Sequence, residues 1–543
     1  MAKVTQFVFY VFLGIYVVLL LLNPQLAPVE EARFLNTLQI GKYYPFEIHL
    51  YEARFHPLQS QEYNLVTLLL PPTPFSYYLF NALQLVVLFL IFAKILNFVT
   101  KNKIFIYLSL LLLLVSPGLI TVWFRLVFPE RGILFFTTLC LYLYLKILKR
   151  IKDYSKAKLI IILSAIVLFA NLAIYHKETV FLALGSFAFF HLVLSWKQSN
   201  FKIKLLDGLL ILSSSVFILI YYFAIYLNSG TTNYAEALAP SSTFGNIKII
   251  LDYVFSDPLL ILCLLPLTGW RLYQICIKKQ TAYPVYDAML MAALIYIIAF
   301  LKLKLQTQYY LLPAYIFAIP AMLFFITQFQ PRLMAKKWWI AAFGTAIFIQ
   351  ITSALPMGLE TLSDFKYIPI NANKTFDFLV ENIKSRYPNQ RADIFLDGIY
   401  RGRKNYIYHD FGEFLQYKGL TPKNFDLKSD LPSNNEFPWE ENPNSPYSAL
   451  RSKEAAKISK GDYLVITPYS YKDPTDSYMN NLESEYKLLF RTHSQWAIPN
   501  IGLQRVIKYV VVKILPEEKT KTMFHQGLKL FKPVVDYYVF IRK

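Results

Sequence analysis

Thr5–Leu22 (TQFVFYVFLGIYVVLLLL) runs eighteen residues without a charged side chain. As a helix it would extend about 27 Å at ~1.5 Å per residue, close to the thickness of a bilayer's hydrocarbon core. A cleaved leader is the other reading of such a run. Asn23-Pro24-Gln25-Leu26 follows it, however, where a leader would have small residues, so an uncleaved first span fits better. Working outward, similar runs recur at about 75–97, 104–124, 132–148, 158–175, 179–196, 205–227, 247–268, 284–301, 309–328 and 338–356, which with the first makes eleven candidate spans. Pro117-Gly118 interrupts the third. The composition agrees. Of 543 residues 55% are hydrophobic and only 17% charged, where soluble proteins carry about 25% charge. Aromatic residues reach 17%, many at the ends of runs, where interface belts form. A soluble enzyme and a disordered chain are excluded, and three cysteines make no disulfide scaffold.

Loop charge orients the spans. The net charge of +20 suggests nucleic acid at first sight, but much of the excess lies in short loops. Alternate segments carry Lys3; Lys101 and Lys103; the cluster from Lys146 to Lys158; Lys197, Lys202 and Lys204; Arg271, Lys278 and Lys279; and Arg332, Lys336 and Lys337. The short loops between them carry only Arg125, Arg131, Lys177, Lys302 and Lys304. Positive charge stays cytoplasmic. The N-terminus is then inside, and two long segments lie outside: a first outer loop, 23–74, and everything from 357 to 543. The chain therefore divides into a membrane domain, 1–356, and an extracytoplasmic domain, 357–543. Strand-like runs at Ala392–Leu396, Asp462–Thr467 and Asp536–Ile541, with a helical run at Phe376–Tyr387, predict a mixed α/β fold for the second. A Pro/Asn-rich stretch, Leu431–Pro446, interrupts it. Ile501–Lys513 is amphipathic and basic, suited either to the membrane surface or to the domain's own packing.

Acidic residues mark one side. The first 371 residues hold fifteen Asp/Glu, and only Asp153, Asp207 and Asp287 fall near the cytoplasmic ends. The rest, Glu236 and Asp257 among them, fall at or beyond the outer face, where a carboxylate at a span end is costly unless paired or hydrated. The pair in Pro28-Val29-Glu30-Glu31-Ala32-Arg33-Phe34 follows the first span directly and opens a predicted amphipathic helix reaching Ile40. One carboxylate there can take a proton from an acceptor hydroxyl, and an arginine can offset charge on a departing phosphate.

This motif resembles the Asp-Glu motif that opens the first outer loop in the GT-C superfamily of integral membrane glycosyltransferases. Glu30-Glu31-Ala32-Arg33-Phe34 is similar to the Asp-Glu-Ala-Arg-Tyr form of lipid A aminoarabinose transferases and protein O-mannosyltransferases, with Glu where the family has Asp. Ser116-Pro117-Gly118 through Arg125, Pro129-Glu130-Arg131-Gly132, Asn171–Thr179 with Lys177-Glu178, and Thr307–Pro313 match further motifs in order. Arg54–Leu58 with Gln61–Asn64 is similar to the far end of the first loop in bacterial relatives.

The resemblance implies a GT-C-like enzyme of a bacterial inner membrane. It would transfer a sugar, with inversion, from a polyprenyl-phosphate-linked donor to a glycan, lipid or protein acceptor on the outer side. Glu30 and Glu31 would activate the acceptor. Arg125, Arg131, His176, Lys177, Tyr309 and Tyr310 would hold the donor phosphate. Arg33, Glu52, Glu62, Glu130 and Glu178 would contact acceptor or sugar. No cofactor is expected; a divalent cation held by Glu30, Glu130 and Glu178 is the alternative within the superfamily. Two other readings compete: a flippase for a lipid-linked sugar, which should show repeated halves and mid-membrane charges, and an inactive GT-C-like assembly partner.

Overall fold

The computed structural model describes residues 2–50, 52–229, 243–334, 337–388, 390–396, 405–429, 455–468, 482–514 and 534–543. Glu236 and the Leu431–Pro446 stretch lie outside the described residues. The apolar runs form α1 (Ala2–Leu21), α4 (Pro74–Val99), α5 (Lys103–Leu114) with α6 (Pro117–Trp123), α7 (Glu130–Arg150), α8 (Lys156–Ile174), α9 (Val180–Ser195), α10 (Phe201–Ile220), α12 (Leu259–Ile277), α13 (Pro284–Leu303), α14 (Leu312–Met334) and α15 (Lys337–Arg386). Between them lie α2 (Ala32–Asn36) and α3 (Gln61–Leu69) in the first loop, and α11 (Thr243–Ser256) before α12. Among the described residues nine helices are long and apolar enough to cross a membrane, and the bent pair α5–α6 makes a tenth. α9, also expected to span, has sixteen residues, about 24 Å at ~1.5 Å per residue. It packs against α10 and α13.

Helix starts are written locally. Thr73 caps α4, with Pro74 in the first turn; Ser116 caps α6, with Pro117 following; Asn102, Ser155 and Asn200 cap α5, α8 and α10. At Ser116-Pro117 the expected third span bends by 62°, because proline cannot donate to the preceding turn. The span expected at 247–268 is displaced. The chain breaks at Asp257-Pro258, and the crossing helix is α12. Buried acids near the expected cytoplasmic ends are paired: Asp207 accepts from Tyr144 (2.5 Å) and meets His191 (2.8 Å), and Asp287 takes both arms of Arg271 (2.8 and 2.9 Å). These pairs tie α7, α9 and α10 together, and α12 to α13.

α15 continues without a break from the membrane-spanning part to Arg386, so the division placed at 356/357 falls inside a helix. Fifty residues of helix extend about 75 Å at ~1.5 Å per residue. Beyond it lies a five-stranded sheet: β3 (Ala392–Leu396), β4 (Phe425–Lys428), β5 (Tyr463–Ile466), β6 (Tyr486–Arg491) and β7 (Tyr538–Arg542), in the order β4-β3-β5-β7-β6. β3 is parallel to β4 and β5; β7 is antiparallel to β5 and β6. The three expected strands are present. β4 and β6 were not expected: four residues of β4 are too few for a periodic signal, and β6 lies at the sheet edge with little of its surface buried. α16 (Asn405–Tyr417) lies in the β3–β4 crossover. It packs on α15 through Phe411 and Phe414, each 5.0 Å from the Phe376 ring.

The first loop is folded rather than extended. α2 stops at Asn36, short of the expected Ile40. One further turn, Leu38–Ile40, closes on Gly41 at φ +78°, the left-handed region that glycine enters freely. β1 (Glu47–His49) pairs antiparallel with β2 (Arg54–His56). Phe34, Tyr44, Tyr63 and Tyr77 stack edge-on beneath, 5.2–5.5 Å apart, and fix the loop on α4.

Candidate active site

Glu30 and Glu31 are neighbours in sequence with opposite surroundings. The Glu31 carboxylate is fully buried. It accepts the Ala27 N–H (2.7 Å), the Leu126 N–H (2.8 Å) and the Arg125 Nε–H (3.2 Å). Three donors and no access to solvent make it a clamp between the first loop and the turn after α6. Expected to activate the acceptor, it is closed off from solvent and does not line the cavity described next. Glu30 stands at φ +70°, a backbone conformation that costs a non-glycine residue of order 1–2 kcal/mol. Its side chain is 51% exposed while still touching Arg125 Nη2 (3.0 Å).

Glu30 lines a cavity of about 620 Å³. The first loop supplies one wall, with Arg33, Glu47, His49, Glu52, Arg54 and His56. The ends of the spans supply a second: Phe128 and Pro129 before α7, Glu130 at its start, Lys177 in the α8–α9 turn, and Tyr309 and Tyr310 before α14. Glu130 suits the first turn of a helix, where the dipole favours an anion. It pairs with Lys177, whose ammonium also lies 4.6 Å from the Tyr310 ring centre and 5.6 Å from that of Tyr309. The second Glu130 oxygen is buried and has no hydrogen-bond partner among the described residues. α16 supplies the third wall, with Tyr406, His409, Asp410 and Glu413. Asp410 is buried and accepts the Glu30 N–H at 2.7 Å. A residue of the C-terminal domain thus holds the backbone of the exposed glutamate.

Several residues singled out from sequence lie outside this cavity. Arg125 is occupied by Glu31, by the Val29 carbonyl (2.6 Å) and by Glu30. Arg131 is buried under Tyr63, bonds Glu62 (2.5 Å) and reaches the Leu126 carbonyl. Both were expected on a donor phosphate, and Glu62 on substrate; all three instead brace the turn between α6 and α7. His176 lies flat on Gly132, where a Cβ would meet its ring at 2.3 Å, and its Nδ1–H donates to the Leu172 carbonyl (2.6 Å). Burial lowers its pKa, and it does not line the cavity. Glu178 bonds Arg54 Nε (2.7 Å) and the Phe55 N–H (3.1 Å) behind the cavity wall. Burial pushes its carboxyl up, but the Arg54 guanidinium pulls it down further, to about 2.

The wall is therefore a set of fixed charges. Burial raises the Glu47 carboxyl, yet hydrogen bonds from His49 and Arg33 bring it well below the usual carboxylate range. Burial, with Arg54 beside it, lowers His56 to about 3, so it is neutral at pH 7, and its buried Nδ1 has no hydrogen-bond partner among the described residues. Glu30, Glu130 and Glu178 do not converge on a cation. Among the described residues no three His, Cys, Asp or Glu side chains are arranged to hold one.

No family model and no curated protein matches the chain. Solved structures do align along it. The oligosaccharyltransferase AglB of Archaeoglobus fulgidus, in complex with an inhibitory peptide and a dolichol-phosphate, aligns over 99% of this chain and 88% of its own, with 12% identity and a TM-score of 0.47. ArnT of Cupriavidus metallidurans, bound to undecaprenyl phosphate, aligns over 90% of this chain and 96% of its own, with 11% identity and a TM-score of 0.45.

The sequence did not reveal the α16 wall. His409 and Glu413, four residues apart, share a helix face, with Nε2 and Oε1 3.5 Å apart. That spacing is legible in Asn405–Tyr417, but nothing local says the face meets Glu30. Arg54 and His56 stood only within a loop motif. Their pairing across β1–β2 is what brings them to the cavity.

Proposed function

We propose that the protein is a membrane glycosyltransferase that moves a sugar from a polyprenyl-phosphate-linked donor to an acceptor hydroxyl in this cavity. The observation that carries the reading is one half-exposed carboxylate, Glu30, facing the same enclosed space as the ammonium of Lys177. Glu30 takes the acceptor's proton. The acceptor oxygen then bonds the anomeric carbon as the bond from that carbon to the phosphate oxygen breaks, with inversion. Lys177 offsets the charge left on the phosphate, with Arg54 as a second cation in the wall and the Tyr309 and Tyr310 hydroxyls beside Lys177. The acidic groups of the other walls suit hydroxyl-rich groups of sugar and acceptor. A carrier would need a path to the opposite face. The lining residues come instead from the first loop, the adjoining span ends and α16, which favours a transferase.

The full chain, in nanodiscs, is offered a panel of undecaprenyl-phosphoryl hexoses, and release of undecaprenyl phosphate is followed by mass spectrometry. A general base contributes about 10²–10⁴ in rate. Glu30→Gln should therefore lower turnover by at least about 100-fold while the purified protein keeps its melting temperature. Turnover in Glu30→Gln equal to the parent's would remove Glu30 from the mechanism. No release from any donor, by a chain that binds undecaprenyl phosphate, would favour the inactive partner. The same assay with EDTA addresses the cation directly.

A further inference from the structure

α17 (Leu503–Ile514) has its polarity reversed relative to a water-facing helix. Three of its polar side chains face the protein. Gln504 Nε2 donates to Asp252 on α11 (2.6 Å), Lys508 pairs with the same carboxylate (3.3 Å), and Arg505 Nη2 reaches both oxygens of Glu360 on α15 (2.9 and 3.1 Å). Four of its apolar side chains face away. Val506, Ile507, Val510 and Ile514 are 43%, 42%, 47% and 74% exposed. Their spacing of three and four residues puts them on one face. A helix of a soluble domain buries such a face and leaves its charges in water.

The bare face is not isolated. On α11, Ile247, Ile250 and Leu251 are each 50% exposed, and on α15, Phe348 and Ile351 are 57% and 58% exposed. α15 is one of the helices apolar enough to cross the membrane, and Glu360, the partner of Arg505, lies nine residues beyond Ile351 on it. α17 and α11 both pack on the 350–354 turn of α15, so these exposed apolar side chains lie on three neighbouring helices, one of them a span.

We infer that α17 is an interfacial membrane helix. Its apolar face is immersed in the leaflet on the side of the C-terminal domain, and its polar face is tied to α11 and α15. The occupant of the patch is lipid acyl chain, because the helices packed beside it, one of them a span, carry exposed apolar side chains of their own. Arg505 and Lys508 are engaged by internal carboxylates rather than presented to a charged partner. Uncharged lipid therefore suffices, and the face sits roughly 5–10 Å into the boundary between headgroups and chains. The same contact holds the sheet domain, and with it α16, against the membrane helices.

The test uses the full chain with Cys276→Ser, which removes the exposed thiol and leaves Cys140 and Cys263 buried. Val510→Cys is labelled with an NBD fluorophore and the protein placed in phosphatidylcholine nanodiscs. Ile507→Cys on the same face repeats the measurement should the label at 510 disturb the helix. Lys487→Cys, at an exposed position on the edge strand β6, is the control. Emission at 510 should be blue-shifted and quenched severalfold by lipid carrying a doxyl group at carbon 5, with no quenching at 487. Emission like that in water at both 507 and 510 overturns the inference. Blue-shifted emission that the lipid quencher does not reach overturns it equally, since it would place a second copy or another protein on the patch.

Discussion

At the scale of the residue, one peptide unit separates two glutamates with different work. Glu31 has its charge matched inside the protein, and Arg125 depends on it. Removing one partner of a buried ion pair leaves the other uncompensated, at about 3–5 kcal/mol. Glu31→Ala should therefore fail as a fold, with a large loss of melting temperature or of monodisperse protein in detergent. Glu30→Gln should pass that same test. A stable, well-folded Glu31→Ala protein would show that the clamp contributes little. The distinction rests on φ at Glu30 and on hydrogen bonds to residues about ninety-five positions away.

At the scale of the element, the α5–α6 bend brings Gly118 against the strand of chain before α14. A Cβ on Gly118 would lie 2.4 Å from the Gln308 carbonyl oxygen and 3.1 Å from the Tyr309 Cα. Backbone cannot rotate out of the way as a side chain can, so the methyl must push 308–310, which carries two cavity-lining tyrosines. Overpacking of this kind costs about 1–3 kcal/mol. Gly118→Ala should lower the melting temperature and also weaken retention of undecaprenyl phosphate in native mass spectrometry. Gly14→Ala, where no atom lies within 4 Å, should change neither. Equal behaviour of the two variants would mean that 308–310 yields without consequence.

At the scale of the whole molecule, the cavity is a joint product of the two ends of the chain. The Glu30 N–H and the Asp410 carboxylate are 380 positions apart and 2.7 Å from each other, and Tyr417 reaches Gln39 (3.2 Å) from the same helix. Asp410→Ala removes the acceptor that helps hold Glu30 in its left-handed conformation, whereas Asp410→Asn keeps an oxygen there. Hydrogen exchange at the amides of 28–32 should quicken in the first variant, with the second close to the parent. Exchange in β3 and β5 should be unchanged in both. Equal protection of 28–32 in all three proteins would show that the first loop holds Glu30 by itself.

Hydropathy is a sum over some twenty consecutive residues, and the cost of placing charge in hydrocarbon needs no tertiary contact to be felt. The sequence by itself therefore determined that the chain is built from membrane-spanning helices, where a proline bends one of them, and that carboxylates gather around the first loop. It also located most of the strands beyond α15, because a run such as ADIFL is distinctive over five residues. Burial and pairing are different: they depend on which distant group arrives. Only the tertiary structure decided that Glu31, Arg125 and Arg131 are internal supports, while Glu30 and Lys177 face a common cavity. It alone seated α16 over that cavity and turned the apolar face of α17 outward. Identical side chains one residue apart carry the same local signal, and what separates them is the set of partners each meets, Arg125 and Leu126 about ninety-five positions away and Asp410 380 positions away.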